Sequence, residues 1–404
     1  MATTTLPRYA LRRQLSLPSR TRVAHIPSHI SQQQRRRVSA YGYEQAKALT
    51  FRDYGEPSDV LSLHSHSISP AHSNLLTLRF LASPINPADI NQIQGLYPSK
   101  PTFTTSLGTP YPLAVAGNEA VAQVLSTGSA VSALSKGDWV IMNRPSLGTW
   151  RTHAQLPESA VLKIDNHEHL SPIQVGTVSV NPCTAYRLLR DFVPLTPGDW
   201  FIQNGANSGV GRAAIQLARA WGYRSINVVR ARPDDPAATD ALRADLTSLG
   251  ADIVVTDAEL QARDFRDRVA EWTHAGREPL KLALNCVGGK PALALAKQLA
   301  PHGCMVTYGA MGRKPLEVPA SLLIFRDIRF AGFWVSEWAA RHPGEKKKTV
   351  EHVLNLMREG GFRDAPVERV EWGWETKGEE LVRRVEGTLE GFRSGKGVFV
   401  FGEE

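Results

Sequence analysis

Along residues 41–175, apolar and polar positions alternate in short runs such as LLTLRFLAS, AVAQVLSTG, DWVIMNRP and GTWRTHAQLP, with Gly, Pro and Ser between them. A period of two marks strands with one buried face, so this stretch predicts a β-rich, partly open barrel. From about 181 the pattern changes to alternating strands and helices. The buried run WFIQNG precedes a helix over VGRAAIQLARAWG, and SINVVR precedes one over 236–249. ADIVVTD precedes a helix over 259–275, and KLALNCVGG precedes one over 290–300, with CMVTYGAM and RFAGFWV closing the series. Such alternation requires a doubly wound parallel sheet covered by helices on both faces. Beyond about 340 the pattern predicts charged helices over 345–360 and 377–393 and a last strand, GVFVFG. That strand has no sheet of its own nearby, so it is expected to return to the first domain. The expected organisation is a leader over 1–40, a first domain over 41–180, a nucleotide-binding domain over 181–340 and a return over 341–404.

Charge sharpens this division. The 404-residue chain carries a formal charge of +8, but Arg8, Arg12, Arg13, Arg20, Arg22, Arg35, Arg36 and Arg37 precede the first acid, Glu44. Without those eight arginines the basic residues number 39, equal to the 39 acidic ones, so the body is neutral. An Arg-rich, Ser/Thr-bearing, acid-free start is the composition of an organellar transit peptide, and its arginine density favours a mitochondrion. A basic arm for RNA is the alternative, yet a neutral body argues against nucleic acid as a partner. No apolar run reaches the ~20 residues of a membrane span. The three cysteines, Cys183, Cys286 and Cys304, form no CxxC pair and read as buried small residues.

The strand WFIQNG followed by GANSGVGRAAIQLA is the context in which a glycine-bearing turn binds a pyrophosphate on helix amides. Ala206 and Ser208 stand where the first two glycines of G-x-G-x-x-G would be, and Gly211 supplies the third. The next strand ends in VVRARPD. Arg230 and Arg232 there suit a 2′-phosphate, so NADPH is preferred over NADH.

The stretch INPADINQIQGLYPSK, residues 85–100, packs Asn86, Asp89, Asn91, Gln92, Gln94 and Tyr97 between prolines, without Cys or His. Zinc alcohol dehydrogenases of the medium-chain dehydrogenase/reductase superfamily carry a Cys-His pair here and a Gly-His-Glu motif later. This chain has Asn86-Pro87-Ala88-Asp89 and Gly117-Asn118-Glu119 instead, so no metal site is expected. Hydride addition to an activated C=C bond needs only enolate stabilisation and a proton. Tyr97 is the donor of suitable strength in this segment, although a packing role for a Tyr before Pro stays open.

INPADINQIQGLYPSKP, AGNEAVAQV, VNPCTAYRLL, DWFIQNGANSGVGRAAIQLA, INVVRARPD and YGAMGRKP together resemble the mitochondrial trans-2-enoyl-thioester reductases of type II fatty acid synthesis, over roughly residues 42–404. The resemblance implies a GroES-like barrel joined to a Rossmann domain, and Tyr97 as proton donor. It implies that Asn181 touches NADPH, that Asn207, Ser208, Gly209 and Val210 line its pyrophosphate, and that Arg230 and Arg232 hold its 2′-phosphate. Tyr308, Gly309, Ala310 and Met311 and Phe333, Trp334, Val335 and Ser336 would flank the nicotinamide, with Lys396 reaching back to it. An enoyl thioester on acyl carrier protein or coenzyme A would be the substrate, in the mitochondrial matrix, reduced by a homodimer. Phe333, Trp334 and Trp338 are expected to line an acyl pocket, and RFAGFWV to form an edge strand that pairs with its twin. A quinone or enone reductase would share the cofactor site without requiring Tyr97.

Overall fold

The computed structural model describes residues 42–389 and 394–402, together with Met1. The arginine-rich leader lies outside them. Two sheets dominate. The first, of seven strands, has the order Val367–Trp372, Lys396–Phe401, Leu75–Pro84, Val121–Thr127, Trp139–Met142 and Val161–Lys163, with His153–Pro157 also paired to Leu75–Pro84. A three-stranded sheet of Ser62–Ile68, Glu44–Phe51 and Ala114–Val115 joins it through the Ala48–Arg151 bridge. Its core is aromatic: Trp150 and Trp372 both pack edge-on against Phe399, and Trp372 lies tilted against Phe401. Each such ring removed from water stabilises by roughly 1.5–3 kcal/mol. Those rings bind the C-terminal segment into the first sheet, where Lys396–Phe401 runs antiparallel to Leu75–Pro84.

The second sheet is parallel, in the order Ile253–Thr256, Arg224–Val229, Trp200–Asn204, Leu280–Asn285, Cys304–Thr307 and Arg329–Gly332. Its inner strands are buried runs, as expected where helices cover both faces, while the edge strand Arg329–Gly332 is partly exposed. The helix Gly209–Trp221 starts where the Ser208 hydroxyl accepts from the Gly211 amide and stops at Gly222, in a left-handed conformation at φ +73°. The helix Pro236–Leu249 starts at Asp235, which accepts from the Ala238 amide, and ends at Gly250. Arg329–Gly332 is the outermost strand, as expected of RFAGFWV.

Two expected helices differ. The segment 259–275 is two pieces, Asp257–Leu260 and Phe265–Trp272. Thr256 and Glu259 cap the first reciprocally, which fixes its start, and four residues separate its end at Leu260 from the second, which follows the apolar face of Phe265 and Val269. The segment 377–393 is helical as Gly378–Glu386, with one further 3-10 turn over Gly387–Leu389. No helix among the described residues is long and apolar enough to cross a membrane.

Candidate active site

The glycine turn lies at the carboxyl end of Trp200–Asn204, in the crevice where open α/β sheets bind ligands. Gly205, not singled out from the sequence, takes φ +60°, and a Cβ on it would lie 2.5 Å from Cys286 Sγ. A Cβ on Gly211 would lie 2.6 Å from the Ala206 carbonyl oxygen, so helix and turn can meet only at a glycine. A cavity of about 270 Å³ opens over the turn, lined by Asn207, Ser208, Arg230, Arg232, Cys286 and Met311 among others. A second, of about 590 Å³, continues from Asn207, Ser208 and Gly209 past Arg232 and Met311 to Lys396. Asp257, also missed, closes the first cavity; its carboxylate accepts from the Ala231 amide at 2.8 Å and so orders the loop between the two arginines. Bare helix amides, a glycine under the closest approach and two guanidiniums fit a dinucleotide with a 2′-phosphate.

The other expected contacts fall into three groups. Asn181 opens the helix Asn181–Arg190, and a Cβ on Gly209 would lie 2.6 Å from its Nδ2, so the two are in register. The Val210 side chain is buried in the hydrophobic core, leaving only its backbone for the turn. Tyr308 is a buried phenol beside Cys286, and Gly309 closes on the same cysteine, since a Cβ there would lie 3.2 Å from Cys286 Cβ. Ala310 links them to the exposed Met311.

The acid candidate stands outside the linings of these cavities. Tyr97 follows the helix Pro87–Ile93, and its amide donates to the Asn91 carbonyl at 3.1 Å. The Trp334 indole Nε1–H donates to Tyr97 Oη at 2.8 Å, with the rings edge-on at 5.8 Å. Among the described residues no acceptor takes the Tyr97 proton. Burial raises the phenol above its ordinary value, against the lowering effect of the indole hydrogen bond.

The expected aromatic trio does not stay together. Phe333 meets Phe192 edge-on, Trp338 is buried beneath the Arg187 guanidinium, and Trp334 alone reaches Tyr97. Successive residues leaving a strand point to different sides, which separates the first two rings. Val335 packs on the core and Ser336 is half-buried.

The stretches 86–89 and 117–119 converge around a cation from the chain itself. Lys396 Nζ donates to Asn86 Oδ1 at 2.6 Å, and Asn86 Nδ2 donates to Glu119 Oε2 at 3.0 Å. Glu119 Oε1 accepts from the Val180 amide at 2.8 Å and from the Ser179 hydroxyl at 3.1 Å. Burial raises the Glu119 and Asp89 carboxyls, Asp89 to about 7, and lowers the Lys396 ammonium. Lys396 thus reaches the cavity edge with its amine turned into this cluster, a partner set that the sequence did not suggest.

Residues 72–166 match the alcohol dehydrogenase GroES-like domain, and residues 209–361 match the zinc-binding dehydrogenases. The mitochondrial enoyl-[acyl-carrier-protein] reductase of Schizosaccharomyces pombe is 45% identical over 327 residues, 80% of this chain and 86% of that protein. The solved Etr1p/NADP/crotonyl-CoA complex is 39% identical with a TM-score of 0.83, covering 88% of this chain and 99% of that one. The mitochondrial 2-enoyl thioester reductase Etr1p/Etr2p heterodimer from Candida tropicalis gives the same identity, score and coverage. With the barrel, the parallel sheet and the glycine turn in place, the chain belongs to the family of the mitochondrial enoyl-[acyl-carrier-protein] reductases.

Proposed function

We propose that this chain reduces trans-2-enoyl thioesters to saturated acyl thioesters with NADPH, in mitochondrial type II fatty acid synthesis, with Tyr97 as the proton donor. Asn181, the turn 207–210, Arg230 and Arg232 would hold NADPH, which would supply the hydride that Cβ of the substrate receives. The thioester carbonyl makes Cβ electrophilic and takes up the charge as an enolate. Tyr97 then gives its proton to Cα. The Trp334 N–H on Oη stabilises the phenolate left behind, and water returns the proton. A phenol raised by burial is fully protonated at neutral pH and so ready to act as an acid. The observation that carries the reading is the Trp334–Tyr97 contact, in which Oη accepts a hydrogen bond and keeps its own proton for the substrate.

Trp334 also marks where the acyl chain meets the acid, so its exchange for Ala is expected to shift chain-length preference across C4 to C16 substrates. The acyl carrier is acyl carrier protein or coenzyme A, and the compartment is the matrix, addressed by the segment 1–40. Assembly is a homodimer through the outer strand Arg329–Gly332, beside which Leu323, Ile324 and Phe325 lie exposed. The test is NADPH oxidation with trans-2-hexenoyl-CoA. Tyr97→Phe should lower kcat by roughly 10²-fold or more, the usual contribution of a positioned acid, with NADPH affinity intact. Full activity in that variant overturns the reading.

A further inference from the structure

Apart from Tyr97, the polar residues of INPADINQIQGLYPSK have no role in the reaction as written, yet three of them, Asn86, Asp89 and Gln92, are buried. A buried amide or carboxylate costs free energy unless it is hydrogen-bonded, so an apolar residue would fill these positions at less cost if filling were all that was needed. Their bonds form one chain. Asn118 Nδ2 donates to Asp89 Oδ1 at 2.7 Å and to Gln92 Oε1 at 3.1 Å. Gln92 Nε2 donates to the Ser99 carbonyl and to Ser146 Oγ, each at 2.9 Å, and the Ser99 and Ser146 hydroxyls are 2.6 Å apart. Asn118 Oδ1 accepts from the Ser146 amide at 2.7 Å. At the other end Asp89 Oδ2 accepts from the Asn86 amide at 2.7 Å, and Asn86 passes the chain to Glu119 and the Val180 amide. Val180 precedes Asn181, which sits against Gly209 of the nucleotide turn.

One end of the chain therefore grips Ser99, two residues after Tyr97, and the other grips the residue before Asn181. We propose that Gln92, held by Asn118, is a positioning residue for Tyr97: it fixes the 97–99 loop in register with the nucleotide turn, so that proton and hydride reach adjacent carbons of one substrate. Gln92 faces the acid through Ser99 and touches no reacting atom. The inference rests on the role given to Tyr97 above. Loss of that register lets water, in place of the phenol, protonate the enolate from either face.

Two variants of the full chain test it. Gln92→Met keeps the volume and removes both donors. Ser146→Gly removes one hydroxyl at a residue with φ +63°, where glycine relieves backbone strain, so stability is not at issue. Gln92→Met is expected to lower kcat with crotonyl-CoA by about 10²-fold, the scale of a 1 Å misplacement, and Ser146→Gly by a smaller factor with an unchanged melting temperature. Both should leave the NADPH dissociation constant unchanged. In D2O the wild type should place deuterium on one face of Cα, and the variants on both. A crystal of unliganded Ser146→Gly should show Tyr97 Oη beyond hydrogen-bond distance of Trp334 Nε1. Unchanged kcat in the folded variants, or a lower kcat with single-face deuteration, overturns the positioning role. If Tyr97→Phe itself keeps full activity, the failure lies in the acid assignment instead.

Discussion

The nucleotide cleft and the cluster behind Tyr97 hold their polar groups in opposite ways. In the cleft, Arg230 is exposed and Arg232 only half-buried, and the groups proposed to face a phosphate are backbone amides that belong to a helix in any case. Behind Tyr97, Asn86, Asp89, Gln92 and Glu119 are interior groups: Asn86 bonds to Asp89 and Glu119, Gln92 to Asn118, Ser99 and Ser146, and the half-buried Lys396 turns its amine onto Asn86. The first arrangement waits for a ligand and loses little when a side chain is removed. The second is complete without one, and each member removed strands a buried partner.

The sharpest way to break that contrast is Lys396→Met, which leaves Glu119 buried without its cation. A cost of about 3–5 kcal/mol in thermal or urea unfolding is expected; a loss under about 1 kcal/mol would put the cluster on a level with surface pairs. Next, Arg230→Ala with Arg232→Ala should weaken NADPH binding by about tenfold per arginine, the scale of one charge-assisted hydrogen bond, while NADH binding and melting stay unchanged. Equal loss for both nucleotides would place the arginines elsewhere than at the 2′-phosphate. Trp334→Phe keeps a ring against Tyr97 but removes the donor; kcat is expected to fall about fivefold, for a net hydrogen bond near 1 kcal/mol. The last test concerns Asp89 and pH. Its carboxyl titrates at about 7 in the folded chain and near 3.8 when exposed, so its contribution to stability is complete below the lower value and is lost as pH rises through the higher. The melting-temperature advantage of wild type over Asp89→Asn should therefore shrink from pH 4 to pH 7. A gap that widens with pH would reverse the sign assigned to this group.

The same contrast explains what the sequence made legible. The barrel strands, the parallel sheet and the glycine turn follow from patterns a few residues long, and the arginines of VVRARPD stand within one loop. Gly205 falls outside G-x-G-x-x-G when Ala206 takes its first position, although a glycine closing a strand is itself a turn signal. The cluster had no such local signature. Tyr97 and Trp334 are 237 positions apart, and Asn86 and Lys396 are 310 apart. Only the return of the last strand beside Leu75–Pro84 brings that lysine to the asparagine. The separation of Phe333 from Trp334 likewise follows from how the chain leaves its strand, which composition does not encode.

The outermost strand of the parallel sheet ends at Gly332, and two residues later comes the indole that touches the phenol. Consecutive Cα atoms are only about 3.8 Å apart, so a leash of two residues keeps the Trp334 Cα within about 8 Å of the strand's end. The rim of that sheet therefore bounds where Trp334 can stand to meet the tyrosine.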